Sequence, residues 1–117
     1  SPPMNLMEAR LDGLVAHIDG AGPMDVPLPE GLPERARLGI RPEHLEPCAD
    51  ADAHLRMIAD IIEPQGSETI VHGMFGSRPM VARLDGAVGV RSGEVLPMRL
   101  RPGSVHVFDL ESDRRIA

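Results

Sequence analysis

The chain contains no lysine, and all twelve of its basic residues are arginines. That absence removes several chemistries at once: a P-loop lysine on a β- or γ-phosphate, a Schiff-base amine and a lysine general base. Tryptophan and tyrosine are also missing, which leaves Phe75 and Phe108 as the aromatic rings. Single-stranded nucleic acid is held by bases stacked on aromatic rings above a basic groove. With a net charge of −6 and a pI near 5.2 as well, the composition argues against a nucleic-acid partner. One cysteine, Cys48, allows neither an internal disulfide nor a thiolate metal cage, which fits a reducing compartment. No apolar run approaches the roughly 20 residues needed to cross a bilayer. The opening "SPPMNLMEAR" lacks the basic start and apolar stretch of a signal peptide, so a cytoplasmic, soluble protein is expected. A length of 117 residues suits one domain with a core of its own. The proline-rich start at Ser1 is unlike a natural protein start, and a piece of a longer chain is expected.

What is abundant is punctuation. Twelve prolines and twelve glycines divide the chain into short segments in which long helices are improbable, so the reading is mostly β. Met7, Ala9 and Leu11 alternate with Glu8, Arg10 and Asp12, as in a half-buried strand, and Val15 to Asp19 can pair with them. In "DVPLPEGLPERAR" the prolines Pro27, Pro29 and Pro33 allow only an edge strand or a loop. Leu38 and Ile40 begin a short strand that Pro42 stops. Residues 55–62 fit both periods: Leu55, Ile58, Ala59 and Ile62 have helical spacing, whereas Leu55, Met57, Ala59 and Ile61 alternate. Pro64 and Gly66 end the segment either way. The runs "TIVHGMF", "PMVARL", "EVLPMRL" and "SVHVFDL" then read as four strands separated by turn signals. Such spacing favours a barrel or a sandwich.

The candidate chemistry is sparse. Glu43, His44, Glu46, Cys48, Asp50, Asp52 and His54 lie within twelve residues, but their spacing matches no standard zinc pattern, and short acidic segments of this kind are usually solvated loops. His17, His72 and His106 sit singly inside strand-like runs, where a structural histidine is the more frequent explanation. No Gly-x-Ser-x-Gly elbow supports a nucleophilic serine. "GMFGS" (73–77) lacks the third glycine and the βαβ setting of a dinucleotide site. Most of the seven methionines suit gap-filling in a core.

Taken in order, "SPPMN", "LGIRPEHL" (38–45), "GSETIVHG" (66–73), "VRSGEVLPMRLRPGSVHVFD" (90–109) and the closing "RRI" resemble the C-terminal region of ATP-binding subunits of carbohydrate-type ABC importers. The similarity is to the maltose and sn-glycerol-3-phosphate type. It covers nearly the whole chain, with "SPPMN" and "GIRPEHL" its most specific parts. It implies an all-β transport-associated OB (TOBE) regulatory domain, an OB-fold-like β-barrel of short antiparallel strands. Strands of residues 1–37 and 98–117 would complete one barrel and residues 38–97 an OB-like part, with the nucleotide-binding domain outside this piece. It further implies no catalytic residues, no metal and no cofactor here, with ATP and Mg held by the parent chain, an ABC transporter ATPase at the inner membrane. The implied partners are a second copy of the subunit, membrane permease subunits and a regulatory protein.

Within the resemblance, Gly39, Arg41, Pro42, Glu43 and His44 form a structural junction, in which Gly39 allows close packing, Pro42 ends the strand and the Arg41 donors tie carboxylates or carbonyls at the corner. Gly66, Ser67, Glu68 and Thr69 are candidates for ligand or partner contact, and residues 55–62 become a strand. Two departures stand out: Leu6 replaces a frequent Phe, and Asp113 occupies a turn position where Gly is usual, which Asp tolerates. Two rival functions remain at this stage. One is a small-ligand barrel for anions or sugars using Ser67 and Thr69. The other is a small metal-dependent enzyme using His44, Cys48 and His54.

Overall fold

In the computed structural model, which describes residues 3–117, the alternation of small apolar and charged residues becomes two antiparallel five-stranded sheets and no α-helix. The first sheet contains β1 (Asn5–Asp12), β2 (Val15–Ile18), β3 (Gly22–Asp25), β4 (Arg35–Ile40) and β10 (His106–Phe108), in the order β10-β4-β1-β2-β3. The second contains β5 (Leu45–Pro47), β6 (Leu55–Gln65), β7 (Glu68–Phe75), β8 (Arg78–Asp85) and β9 (Val95–Leu100), in the order β5-β9-β6-β7-β8. Its outermost strands, β5 and β8, come into contact, so the sheet curls into an OB-like half-barrel. The expected boundary at residue 38 falls inside β4, and residues 98–100 belong to β9. The chain therefore leaves the first sheet after Ile40 and returns to it after Leu100.

Strand β1 carries the period-two pattern: Met7 and Ala9 are buried, Leu11 is half-buried, and Leu6, Glu8, Arg10 and Asp12 face solvent. β2 pairs with it as expected, from Ala9↔Ile18 to Asp12↔Val15. Strand β3, with Pro23, occupies a sheet edge, the place open to a residue that cannot donate to a ladder. The ambiguous segment is a strand, in which Leu55, Met57 and Ala59 are buried. Pro64 does not end it. β6 runs through to Gln65 because its pairing with β9 stops at Ile58, so Pro64 pairs only with Thr69 of β7 and its missing N–H costs no ladder bond. A bulge between Ala59 and Ile61 reverses the inward alternation there.

Met7, Ala9, Leu38 and Ile40 of the first sheet and Leu55, Met57, Val71, Met80 and Met98 of the second belong to one buried cluster. The two sheets are thus layers of one core. The "GMFGS" segment acts at their seam. In the β7–β8 turn, the Ser77 amide and hydroxyl both donate to the Gly20 carbonyl, at 2.8 and 2.6 Å. Gly76 (φ 58) approaches Ala21 so closely that a Cβ would lie 2.5 Å from the Ala21 Cα.

Candidate functional site

The link between β4 and β5 is a single 3-10 turn, Pro42–His44, with buried Pro42 at its first position, where a missing N–H is harmless. The turn packs against β8. The His44 amide donates to the Arg41 carbonyl at 2.9 Å, and the His44 carbonyl accepts from the Arg101 amide at 3.1 Å. Backbone bonds therefore hold the corner. Arg41 does not tie it as expected: the side chain is exposed and, among the described residues, forms no hydrogen bond or ion pair. Gly39 is buried beneath Met4, Leu6 and Phe108, which occupy the space a side chain would need. The Glu43 carboxyl is held below its ordinary range, chiefly by its own backbone N–H, then by the positive charges of Arg83, His44 and Arg41. His44 Nδ1 is buried without a partner among the described residues.

Residues Gly66 and Ser67 form the two-residue turn of the β6–β7 hairpin, with Gly66 at φ 68. Thr69 is 1% exposed, and its hydroxyl donates to the Gly86 carbonyl at 2.7 Å while the Gly86 amide donates to the Ser67 carbonyl at 2.7 Å. Its hydroxyl is therefore committed to structure, whereas Ser67 is exposed. Glu68 pairs with Arg83 at 3.2 Å.

The fold brings the two motifs together. Glu43 and Leu45 from the corner and Glu68 from the hairpin line one cleft of about 410 Å³ with Glu46, Arg83 and Asp85, where β5 meets β8. Arg101, also on the cleft, donates to Glu46 at 3.1 Å, and Arg99 does so at 3.4 Å; these bonds lower the Glu46 pKa. The result is a predominantly acidic, partly ion-paired recess that can offer both carboxylates and guanidinium groups to a polar partner.

The proposed metal ligands are not assembled. Among the described residues no group of three or more His, Cys, Asp and Glu is arranged to hold a metal ion. Asp50 is bound to Arg56 at 2.6 Å, Glu46 to two arginines, and His54 Nδ1 accepts the Leu100 amide at 2.8 Å. Burial pushes the Cys48 thiol up, away from the thiolate that metal binding or nucleophilic attack requires.

Asn5 is the residue whose role sequence reasoning missed. It is 8% exposed; its side-chain amide donates to the Ile40 and Val81 carbonyls, at 3.1 and 2.9 Å, and its side-chain oxygen accepts the Val81 amide at 2.9 Å. An asparagine amide carries both a donor and an acceptor, so it engages the edge of β8 as a neighbouring strand would. "SPPMN" signalled the motif, but not its partner 76 residues away. Ser1 and Pro2 of that motif lie outside the described residues. Leu6 is 51% exposed and shares a shallow surface recess with Arg37, Phe108 and Asp113. Asp113 adopts φ 58, the left-handed turn conformation expected for it.

Two curled sheets with one core and a charged cleft at the closure of the half-barrel define an OB-like all-β domain. A family model for the TOBE domain matches residues 38–108, well over half of the chain, and the chain belongs to that family. It is also similar to proteins named sn-glycerol-3-phosphate import ATP-binding protein UgpC. The one from Cupriavidus pinatubonensis is 37% identical over 99% of this chain and 36% of its own length. The one from Ralstonia nicotianae is 37% identical over 99% and 34%, and that of Escherichia coli K12 is 32% identical over the same shares. The chain thus spans about a third of the length of these relatives.

Proposed function

We propose that the chain is the C-terminal regulatory and dimer-supporting domain of an ATP-binding subunit in an ABC importer for glycerol phosphate or sugars. The observation that carries this reading is the similarity of 99% of the chain to importer ATP-binding proteins about three times its length. ATP and Mg would be held, and ATP hydrolysed, by the remaining two thirds of the parent chain. The absence of lysine from these 117 residues supports that division, because the phosphate loop of such motors needs one. The subunit would sit in the cytoplasm, peripheral to the inner membrane through permease subunits, and pair with a second copy.

In this reading Gly39, Pro42, Glu43 and His44 shape the corner, Arg41 remains available at its surface, and Gly66, Ser67, Glu68 and Thr69 build the hairpin wall of a recess for a regulatory protein. The shared cleft of Glu43 and Glu68 supports that assignment. The test deletes this domain from the parent subunit. The truncated subunit should still bind Mg-ATP but dimerise more weakly in sedimentation, and the isolated domain should give no heat with Mg-ATP. Micromolar ATP binding by the isolated domain, or undiminished dimerisation after deletion, would overturn the proposal.

A further inference from the structure

The outer faces of the two sheets differ in chemistry. On β1 and β4, Glu8 lies opposite Arg37 and Arg10 opposite Arg35, so charge fills those outward positions, as is usual for a sheet face left to water. On the second sheet one outward row reads Val95, Ile58, Met74 and Pro79 across β9, β6, β7 and β8, each residue directly opposite the next. Opposed residues place their Cβ atoms roughly 4.5–5.5 Å apart, so the row is one continuous apolar strip. Beyond the bulge the next row is Ile61, His72 and Val81. Ile58, Ile61 and Val95 are each about half exposed, and the aliphatic residues of both rows stand outside the buried core cluster. Arg56 borders the strip on one side, and Glu63 and Arg83 border it on the other. Exposed aliphatic side chains are ordinary one at a time, but a contiguous patch with a polar rim marks a contact surface.

The entry of the chain indicates what covers this surface. Pro3 lines a recess of about 450 Å³ on the same face, together with Ile70, His72, Val81 and Arg83. Asn5 then fastens to the Val81 backbone at the edge of β8 by two hydrogen bonds of 2.9 Å. Ile70, in register between Glu63 and Arg83, is 3% exposed, so neighbouring groups already cover that end of the face. A parent chain therefore reaches Pro3 beside the apolar strip, and the relatives are about three times as long as this chain.

We propose that this outer face, with Ile58, Ile61 and Val95 at its centre, docks against the part of its own parent chain that precedes Ser1. The proposal rests on the reading of this chain as the C-terminal domain of an ATP-binding subunit, and it adds the face by which the domain is held to the rest. A second copy is the poorer occupant, because residues 3–5 tether the parent chain at this face and nothing tethers a second copy there. The occupant presents apolar side chains of its own, since an apolar strip gains from burial only against a surface that also leaves water.

Cysteines introduced singly by Ile61→Cys and Val95→Cys test the contact, with Leu14→Cys in the β1–β2 turn as a comparator. Labelling with N-ethylmaleimide, read by peptide mass spectrometry, is followed in the purified parent subunit and in the 117-residue chain. Ile61→Cys and Val95→Cys should react at least tenfold more slowly in the parent subunit, while Leu14→Cys reacts within twofold in both. Melting temperatures equal to those of the unsubstituted chains show that the variants fold. Equal rates in parent and domain at both positions would overturn the proposal, and so would an equal slowing of Leu14→Cys, which reports a general loss of access. The protection should persist when the parent subunit is diluted to a monomer; protection lost on dilution would assign the face to a second copy and overturn the proposal. A parent chain that protects both positions yet binds no Mg-ATP would overturn the importer reading and leave the docking face supported.

Discussion

Replacing Asn5 with Ala tests the seam between the sheets. The substitution removes two donated bonds and one accepted bond while creating only a small void. The bond to the Ile40 carbonyl is buried, so its loss leaves an acceptor that water reaches poorly, at a cost of about 1–3 kcal/mol. The two bonds to Val81 are part-buried, and each is worth about 0.5–1.5 kcal/mol. The sum is about 2–6 kcal/mol, equivalent to a fall of about 8–25 °C in Tm for a domain of this size. Urea unfolding followed by circular dichroism measures it, with an unchanged slope showing that the same surface is exposed. Asn5→Asp sharpens the test. It keeps the acceptor for the Val81 amide but turns a carboxylate oxygen toward two carbonyl oxygens, so at pH 7 it should be worse than Asn5→Ala. Relative to the original protein at each pH, it should recover as the carboxyl protonates. A loss below about 1 kcal/mol for the Ala variant, or an Asp variant milder than Ala at pH 7, would refute the strand-like role of Asn5.

Arg41→Ala should cost less than about 0.5 kcal/mol in the same assay, because the side chain is exposed and has no partner among the described residues, and a loss above 2 kcal/mol would restore the tie expected from sequence. Gly73→Ala should be more damaging than Gly39→Ala, at about 3 against about 1–2 kcal/mol. The new methyl would overlap the Ile58 carbonyl oxygen, which is backbone, whereas at Gly39 it meets the movable side chains of Met4 and Phe108. Melting temperatures of the two variants give the order directly. Stability should fall on acidification in two stages. His106 is held below its usual pKa by burial, then by Arg115, Arg41 and His44, so the unfolded chain takes up that proton first and stability declines as pH drops through 6.5. Glu43, Glu46, Asp50 and Asp109 are also lowered, and their contributions begin to be lost below about pH 4.5 for Glu and 3.8 for Asp and vanish as the pH falls through their lower folded values. Thermal melts between pH 8 and 3 would show both stages, and a Tm that rises between pH 7 and 5.5 would contradict the histidine assignment.

Period two and turn residues made most strands legible, as β1 and β2 illustrate, since a half-buried strand must alternate whatever its partner. β6 was not legible from its own residues because Leu55 to Ile62 satisfies two periods at once, and only the resemblance implied a strand. The continuation through Pro64 depended on where β9 stops pairing, a fact of the sheet and not of the segment. The short β5 was missed for a similar reason: Leu45–Pro47 has too few residues to show a period, and its strand character comes from pairing with β9. At the site, Glu43 and Glu68 were each singled out, but their meeting in one cleft requires the curl of the second sheet. Arginine chemistry suggested that Arg41 would bind its surroundings, whereas the backbone already satisfies the corner.

The pairing of β10 with β4 sets an order of events during synthesis. His106–Phe108 can join Gly39, Leu38 and Arg37 only after the whole second sheet has been made, so a nascent chain carries β4 with one edge open until residues 106–108 emerge. Such an edge is a template for pairing with another chain. Chains that end prematurely after Leu100 would retain every strand of the half-barrel yet leave that edge exposed permanently. They should accumulate as aggregates, while chains that include residues 106–108 can seal it.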